Sequence, residues 1–344
     1  MSESEVTRQG VRGGRPDREA ITGAVDNSAR PRRRKRGKRE RPMVPDAEFT
    51  SYYGKPIINP PVWESPDIPG YLFLGGLAGL SSPLALGAQL TGRDQLARVA
   101  KCGATAAGAL SLVALVHDLG RPERFLHMLR VVKITSPMNV GSWLLAGYVP
   151  AAGVAMGTAL LRRLPRIGLL AGAGAAVLGP AVAAYTAALL SDTAVPAWHD
   201  GHRELPFVFV GSGATAAGGL GLLAAPAEQT APARNLALFG AATELASFEL
   251  MTNRMDVVAE SYQRGKARKY VRAGKLLTAA GAAGALLGRR NRIVAALSGA
   301  ALLAGSAATR WGIFHAGLIS ADDPKYTVVP QRNRLRERAA KAPS

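Results

Sequence analysis

Between residues 69 and 319 the chain repeats one pattern: runs of about 16 to 25 residues rich in Ala, Leu, Gly and Val, broken by short charged turns. Each run is near the roughly 20 residues that a helix needs to cross the hydrocarbon core of a bilayer. A helix on the outside of a soluble protein would carry charge on its outer face at every turn, and these runs do not. The pattern predicts an all-α integral membrane protein with eight transmembrane helices, at about 69–90, 97–117, 139–161, 167–190, 205–225, 232–251, 271–288 and 292–316. The seventh is short and contains Lys275, and the eighth continues into WGIFHAGLIS. Two four-helix bundles would accommodate eight such segments, although no short internal repeat marks the halves.

The 39 glycines, many inside the runs, suit close approach of helices in lipid. The single cysteine, Cys102, excludes a disulfide framework and any iron–sulfur cluster built from this chain alone. A net charge of +19 would suggest nucleic acid in a soluble protein. In a membrane protein it reports orientation, because cytoplasmic loops are enriched in Lys and Arg. Residues 1–48, with PRRRKRGKRERP at 31–42, read as a disordered basic cytoplasmic arm against anionic lipid. No apolar segment follows the arginines closely, as a secretory or twin-arginine signal would require, and nothing else supports a nucleic-acid partner. Residues 49–68 are rich in proline and include Tyr52, Tyr53 and Trp63, which predicts an ordered, extended interfacial segment. Residues 69–319 form the membrane domain and 320–344 a tail. An even number of spans puts both termini on one side, with the 118–138 and 252–270 loops. Their Lys and Arg content makes that side the cytoplasm, across the cell membrane.

Polar residues at span ends are the candidates for chemistry. The stretch YTAALLSDTAVPAWHDGHRELPF, residues 185–207, turns from an apolar run into a loop holding Asp192, Trp198, His199, Asp200, His202, Arg203 and Glu204. Tyr185 therefore suits either a buried site near carboxylates or the aromatic belt. Asp67, His117 and Asp118 fall at the same face, where the two aspartates could also cap helices or pair with Arg121. His199 and His202 suit proton transfer near neutral pH, or mere solvation. Glu244 and Glu249 sit in an apolar run, so they should face the bundle interior, pair, or carry protons. Arg254 is a partner within reach of Glu249, and Arg310 the counter-charge for Glu244. Arg121, Arg124, Arg130 and Lys133 alternate with Phe125, Leu126, Leu129 and Val131, predicting an amphipathic interfacial helix for anchoring or partner docking. No HxxxH or CxxC spacing is present, and paired histidines inside spans, as a di-haem cytochrome b needs, are missing.

Five motifs then occur in order: PGYLFLGGLAG at 69–79, DLGRPERF at 118–125, TSPMNVGSW at 135–143, YTAALLSDTAVPAW at 185–198 and DPKYTVVPQR at 323–332. Together they resemble the polysulfide reductase/nitrite reductase membrane-subunit family, NrfD/PsrC, over residues 52–332. The last motif is most similar to members associated with formate dehydrogenases. The resemblance implies a haem-free, eight-helix subunit that exchanges electrons between a quinone pool (menaquinone or another quinone) and a ferredoxin-like partner with four 4Fe–4S clusters, which serves a molybdopterin catalytic subunit. It further implies that Tyr185 holds a quinone carbonyl. By their positions at the same face, Asp67, His117 and Asp118 would stand around it. By their chemistry, Asp192, His199, Glu244 and Glu249 are the candidates for a proton route, and Arg121, Arg124, Arg130, His202 and Arg203 for the partner's docking surface. Familiar members serve enzymes outside the cytoplasm, whereas the charge pattern places this platform inside. Two other functions fit the residues: a proton-conducting or transport subunit using Glu244 and Arg310, and a structural anchor.

Overall fold

The computed structural model describes residues 5–7, 10–12, 57–59, 61–119, 123–288 and 291–341. Within the first 55 residues, β1 (Glu5–Thr7) and β2 (Gly10–Arg12) pair antiparallel, Val6 opposite Val11. The rest of the predicted basic arm lies outside the described residues.

Among the described residues from 57 onward every regular element is helical. The long helices are α1 (Asp67–Leu90), α2 (Asp94–Asp118), α4 (Pro137–Leu161), α5 (Pro165–Ser191), α7 (Leu205–Ala224), α8 (Ala231–Arg254), α9 (Gly265–Leu287) and α10 (Arg292–Asp322). Three shorter ones, α3 (Glu123–Met128), α6 (Pro196–His199) and α11 (Lys325–Lys341), belong to loops or the tail, and 3-10 turns occupy Ala227–Gln229 and Asp256–Gln263. Each long helix overlaps one predicted span. Six of them, α1, α2, α4, α5, α7 and α10, are long and apolar enough to cross a membrane. α8 and α9 are as long but carry more charge, including Arg234, Glu244 and Glu249 on α8 and Lys269, Arg272 and Lys275 on α9.

Local chemistry sets the boundaries. α4, α5, α7 and α8 have proline in their first turn, where the missing N–H costs nothing and the fixed φ suits a helix. Asn291 caps α10, its side chain accepting from the backbone N–H groups of Ile293 and Val294 at 2.9 and 3.2 Å. The expected amphipathic helix over 121–133 is cut short after Met128. The Asn139 side chain donates to the carbonyls of Met128 and Val131 at 2.6 and 2.9 Å and accepts from the N–H of Lys133 at 2.6 Å. That pins 129–136 as turns, and no residue of α3 is buried.

α1 and α2 pack together, as do α4 and α5, with α1 also against α5 and α2 against α4; α7 to α10 pack among themselves in sequence order, with α7 also against α10. α1 and α7 join the two groups. α1 meets α5 at Gly79 and Gly179, where a Cβ on either residue would overlap the other's carbonyl oxygen. Small residues are what let backbones approach this closely in lipid. Gly179→Ala should therefore lower the unfolding temperature in detergent, by an overpacking cost of about 1–3 kcal/mol. Gly174→Ala on the same helix, where a Cβ meets nothing within 4 Å, should be neutral or stabilising. Thermal unfolding of the two variants side by side checks this, since an equal response would place the close contact elsewhere.

Candidate functional site

α1 starts at Asp67, and one turn on, on the same face, is Tyr71. α5 runs antiparallel to α1, so its last turns bring Tyr185 to the same end. The two tyrosine hydroxyls hydrogen-bond to each other in the protein interior, with Tyr71 fully buried and Tyr185 only 8% exposed. Gly141 on α4 makes room for the Tyr185 ring, because a Cβ there would fall on the phenol. Ser111 Oγ on α2 donates to the Tyr71 carbonyl at 3.2 Å. Toward the surface, Asp67 Oδ2 and His117 Nδ1 are 2.7 Å apart, and Asp118 Oδ1 accepts from the Glu64 N–H at 3.4 Å. Asp67, His117 and Asp118 thus lie at the end of the molecule to which α5 brings Tyr185. Asp67 pairs with His117 and does not cap a helix.

Tyr71, Ser111 and Gly141 were missed by sequence reasoning. Tyr71 lies inside PGYLFLGG and reads as part of an apolar run. Its one signal was the four-residue spacing from Asp67, which puts both on one helix face.

The 191–204 loop is packed rather than free. Trp198 is fully buried, donates from Nε1 to the Ile313 carbonyl at 2.9 Å, and stacks on Trp63 with ring centroids 5.5 Å apart. The Ala197 N–H donates to Ser320 Oγ at 3.1 Å, and the Tyr262 hydroxyl to the Ala197 carbonyl at 2.9 Å. Arg254 grips Glu204 with two bonds of 2.7 and 2.6 Å and also donates to the Asp200 carbonyl. Arg334 on α11 reaches Asp200 at 3.5 Å, and Lys325 pairs with Glu260. Loop, 3-10 turn and tail therefore form one surface at the end where Asp67 and His117 lie. On it His199, His202, Arg203 and Asp192 are exposed. His199 Nδ1 contacts the Ser191 carbonyl at 3.1 Å, and Asp192 makes no side-chain hydrogen bond among the described residues. Arg124 and Arg130 are exposed on the adjoining 123–136 segment, while Arg121 lies outside the described residues.

The sixth-span carboxylates separate. Glu249 is exposed and bonds Lys275 on α9 at 2.6 Å. Arg254, the partner within its reach in the sequence, is instead taken by Glu204. Glu244 is buried, and its Oε1 accepts from Thr309 Oγ1 at 2.6 Å. Arg310, fully buried, donates from Nη2 to the Phe209 carbonyl at 2.6 Å and lies 3.7 Å over the Phe209 ring. Gly76 leaves the space, since a Cβ there would stand 3.0 Å from that Nη2. The two charges feel each other but form no ion pair; Glu244 Oε2 and Arg310 Nε and Nη1 have no hydrogen-bond partner among the described residues. This interior cluster, with Ser212 and Ser306 2.8 Å apart nearby, is separate from the tyrosine pair.

These features define a class: a multi-pass helical membrane protein with a buried hydroxyl pair under a polar surface at one end. Residues 57–230 match the family described as Polysulphide reductase, NrfD, and the chain belongs to that family. Membership implies a membrane subunit of a molybdopterin oxidoreductase complex, the general partners of such subunits being iron–sulfur and molybdopterin chains. No curated protein gives a significant match.

The Glu204–Arg254 clamp carries a pH dependence. Hydrogen bonding to Arg254 holds the Glu204 carboxyl below its ordinary 4.5. Its stabilisation is thus complete above pH 4.5 and is lost as pH falls through the lower folded-state value. Thermal unfolding between pH 6 and about 3 should show Glu204→Gln less stable than the parent at the upper end, with the gap closing at the lower end. A gap independent of pH would remove the clamp's role.

Proposed function

We propose that this chain is a haem-free, quinone-interacting subunit that crosses the cell membrane eight times, as two four-helix bundles with both termini cytoplasmic. In this reading α8 and α9 span as well, with Glu244 turned to the bundle interior and the exposed Glu249 neutralised by its pair with Lys275. The observation that carries the site is the Tyr71–Tyr185 hydroxyl pair, buried one helical turn below the Asp67–His117 pair. Quinone reduction needs a hydrogen-bond donor at a carbonyl oxygen, a proton source within relay distance, and an electron donor nearby. Either phenol can release its partner and donate to a quinone oxygen. Asp67, His117 and Asp118 then connect the site to water. Electrons pass to or from a 4Fe–4S cluster of a ferredoxin-like partner seated over the 191–204 loop, Arg124 and Arg130, and from there to a molybdopterin subunit.

In the assembled complex, Tyr185→Phe keeps the ring against Gly141 but removes the hydroxyl. It should weaken inhibition by a quinol analogue about tenfold, the loss expected for one hydrogen bond, and Tyr71→Phe should do the same. Inhibition unchanged in both variants would leave a structural anchor. The purified subunit should show no b-type absorption band.

A second reading, a proton-conducting subunit, is favoured by the half-satisfied Glu244–Thr309–Arg310 cluster, since intramembrane ionisable groups commonly mark ion paths. Liposomes holding the chain without any redox partner separate the two. Proton flux lost in Glu244→Gln would favour conduction, and a tight membrane the quinone reading.

A further inference from the structure

At the end of the membrane domain remote from Tyr185, four cations surround one cleft. Arg98 and Lys101 stand one turn apart on α2, and Arg162 and Arg163 form the turn between α4 and α5. With Gln89 and Asp94 they line a cavity of about 350 Å³. Asp94 is the one carboxylate on its wall, so four positive charges face a single negative one. None of the four cations forms a hydrogen bond or ion pair among the described residues. The arginines are exposed, but Lys101 is only 9% exposed. Asp94 is the one opposite charge that acts on Lys101, so the wall keeps an excess of positive charge that an anion would neutralise. Beneath Lys101 and Gln89 the cleft closes to an alanine-lined seam of about 10 Å³, space for roughly one water. A ligand must therefore rest against Lys101 from outside. Leu160, Leu161 and Leu164, on either side of the arginine turn, are each more than 60% exposed, which sets the cleft at the hydrocarbon boundary.

We propose that this cleft binds the phosphate headgroup of an anionic phospholipid. The arginine forks and the Lys101 ammonium hold the phosphate oxygens, and the acyl chains lie outside over the exposed leucines. Free phosphate shares the headgroup chemistry, but only the lipid uses the leucines. The proposal is independent of the quinone reading and predicts no change in quinol-analogue inhibition when the cleft is altered.

The full chain in detergent, with any partner subunits that co-purify, is titrated with phosphatidylglycerol, phosphatidylcholine or inorganic phosphate. Native mass spectrometry reads bound lipid and thermal unfolding reads stabilisation. Phosphatidylglycerol should leave a retained adduct and raise the unfolding temperature, and phosphatidylcholine should do neither. The double variant R162Q/R163Q should bind at least about tenfold more weakly, as should Lys101→Met. Arg166→Gln, outside the cleft and matched in charge change to Lys101→Met, should bind normally. Because both arginines are exposed, the double variant remains a fair test even if Lys101→Met misfolds. Equal binding of both lipids, or binding unaltered in R162Q/R163Q, overturns the site. Full stabilisation by inorganic phosphate alone overturns the lipid assignment.

Discussion

The close contact of α1 with α5 positions everything else. At Gly79 and Gly179 the two backbones touch without side chains between them, and from there the antiparallel helices run on to the same end of the molecule. Tyr71 lies eight residues before Gly79 and Tyr185 six after Gly179. At 1.5 Å per residue both phenols stand about 9–12 Å along the axis from the contact, level enough to meet. Apolar surface gives little preference among helix pairings in lipid, because the tails are as apolar as leucine; packing and hydrogen bonds must choose. Here the glycine contact sets the distance and the hydroxyl pair the rotation of α1 against α5. The same rotation turns Gly76 toward Arg310, tying the second helix group to the first.

Much of the fold was legible in the sequence because hydropathy and proline are local signals. Eight long helices fall where eight apolar runs were read, and Pro137, Pro165, Pro206 and Pro232 mark four of their starts. Side-chain partners were less legible. Glu249 has Arg254 five residues away on its own helix, yet Lys275 from α9 takes it, since five residues turn the helix past the facing position. The alternation of Arg124 and Arg130 with apolar residues has a helical period. Asn139, fifteen residues after Arg124, ends that helix by capturing its carbonyls, and periodicity carries no trace of such a capture. Tyr71 was hidden for the opposite reason, its hydroxyl being the one polar atom in an apolar segment, with a partner more than a hundred residues away.

The two ends of the membrane domain handle charge differently. At the tyrosine end, Asp67 pairs with His117, Glu204 with Arg254, Glu260 with Lys325 and Asp200 with Arg334. Exposed pairs of this kind add little stability singly, but they join loop, turn and tail into one rigid surface. With those charges satisfied internally, the exposed Val131, Val132 and Ile134 stand out as contact residues beside it. A rigid surface of this kind is what the proposed electron-transfer partner would need, since its cluster would have to sit at a fixed distance from the proposed quinone site. At the other end, the cations of the α2 and α4–α5 cleft are left unpaired by the protein itself. A surface that pairs its carboxylates internally while exposing Arg124, Arg130 and Arg203 can seat a protein through apolar contact and those cations, whereas a cleft of four cations and one carboxylate beside exposed leucines is complementary to an anion with a hydrocarbon tail. The proposed protein seat at one end and the proposed lipid site at the other differ in where the chain places its carboxylates.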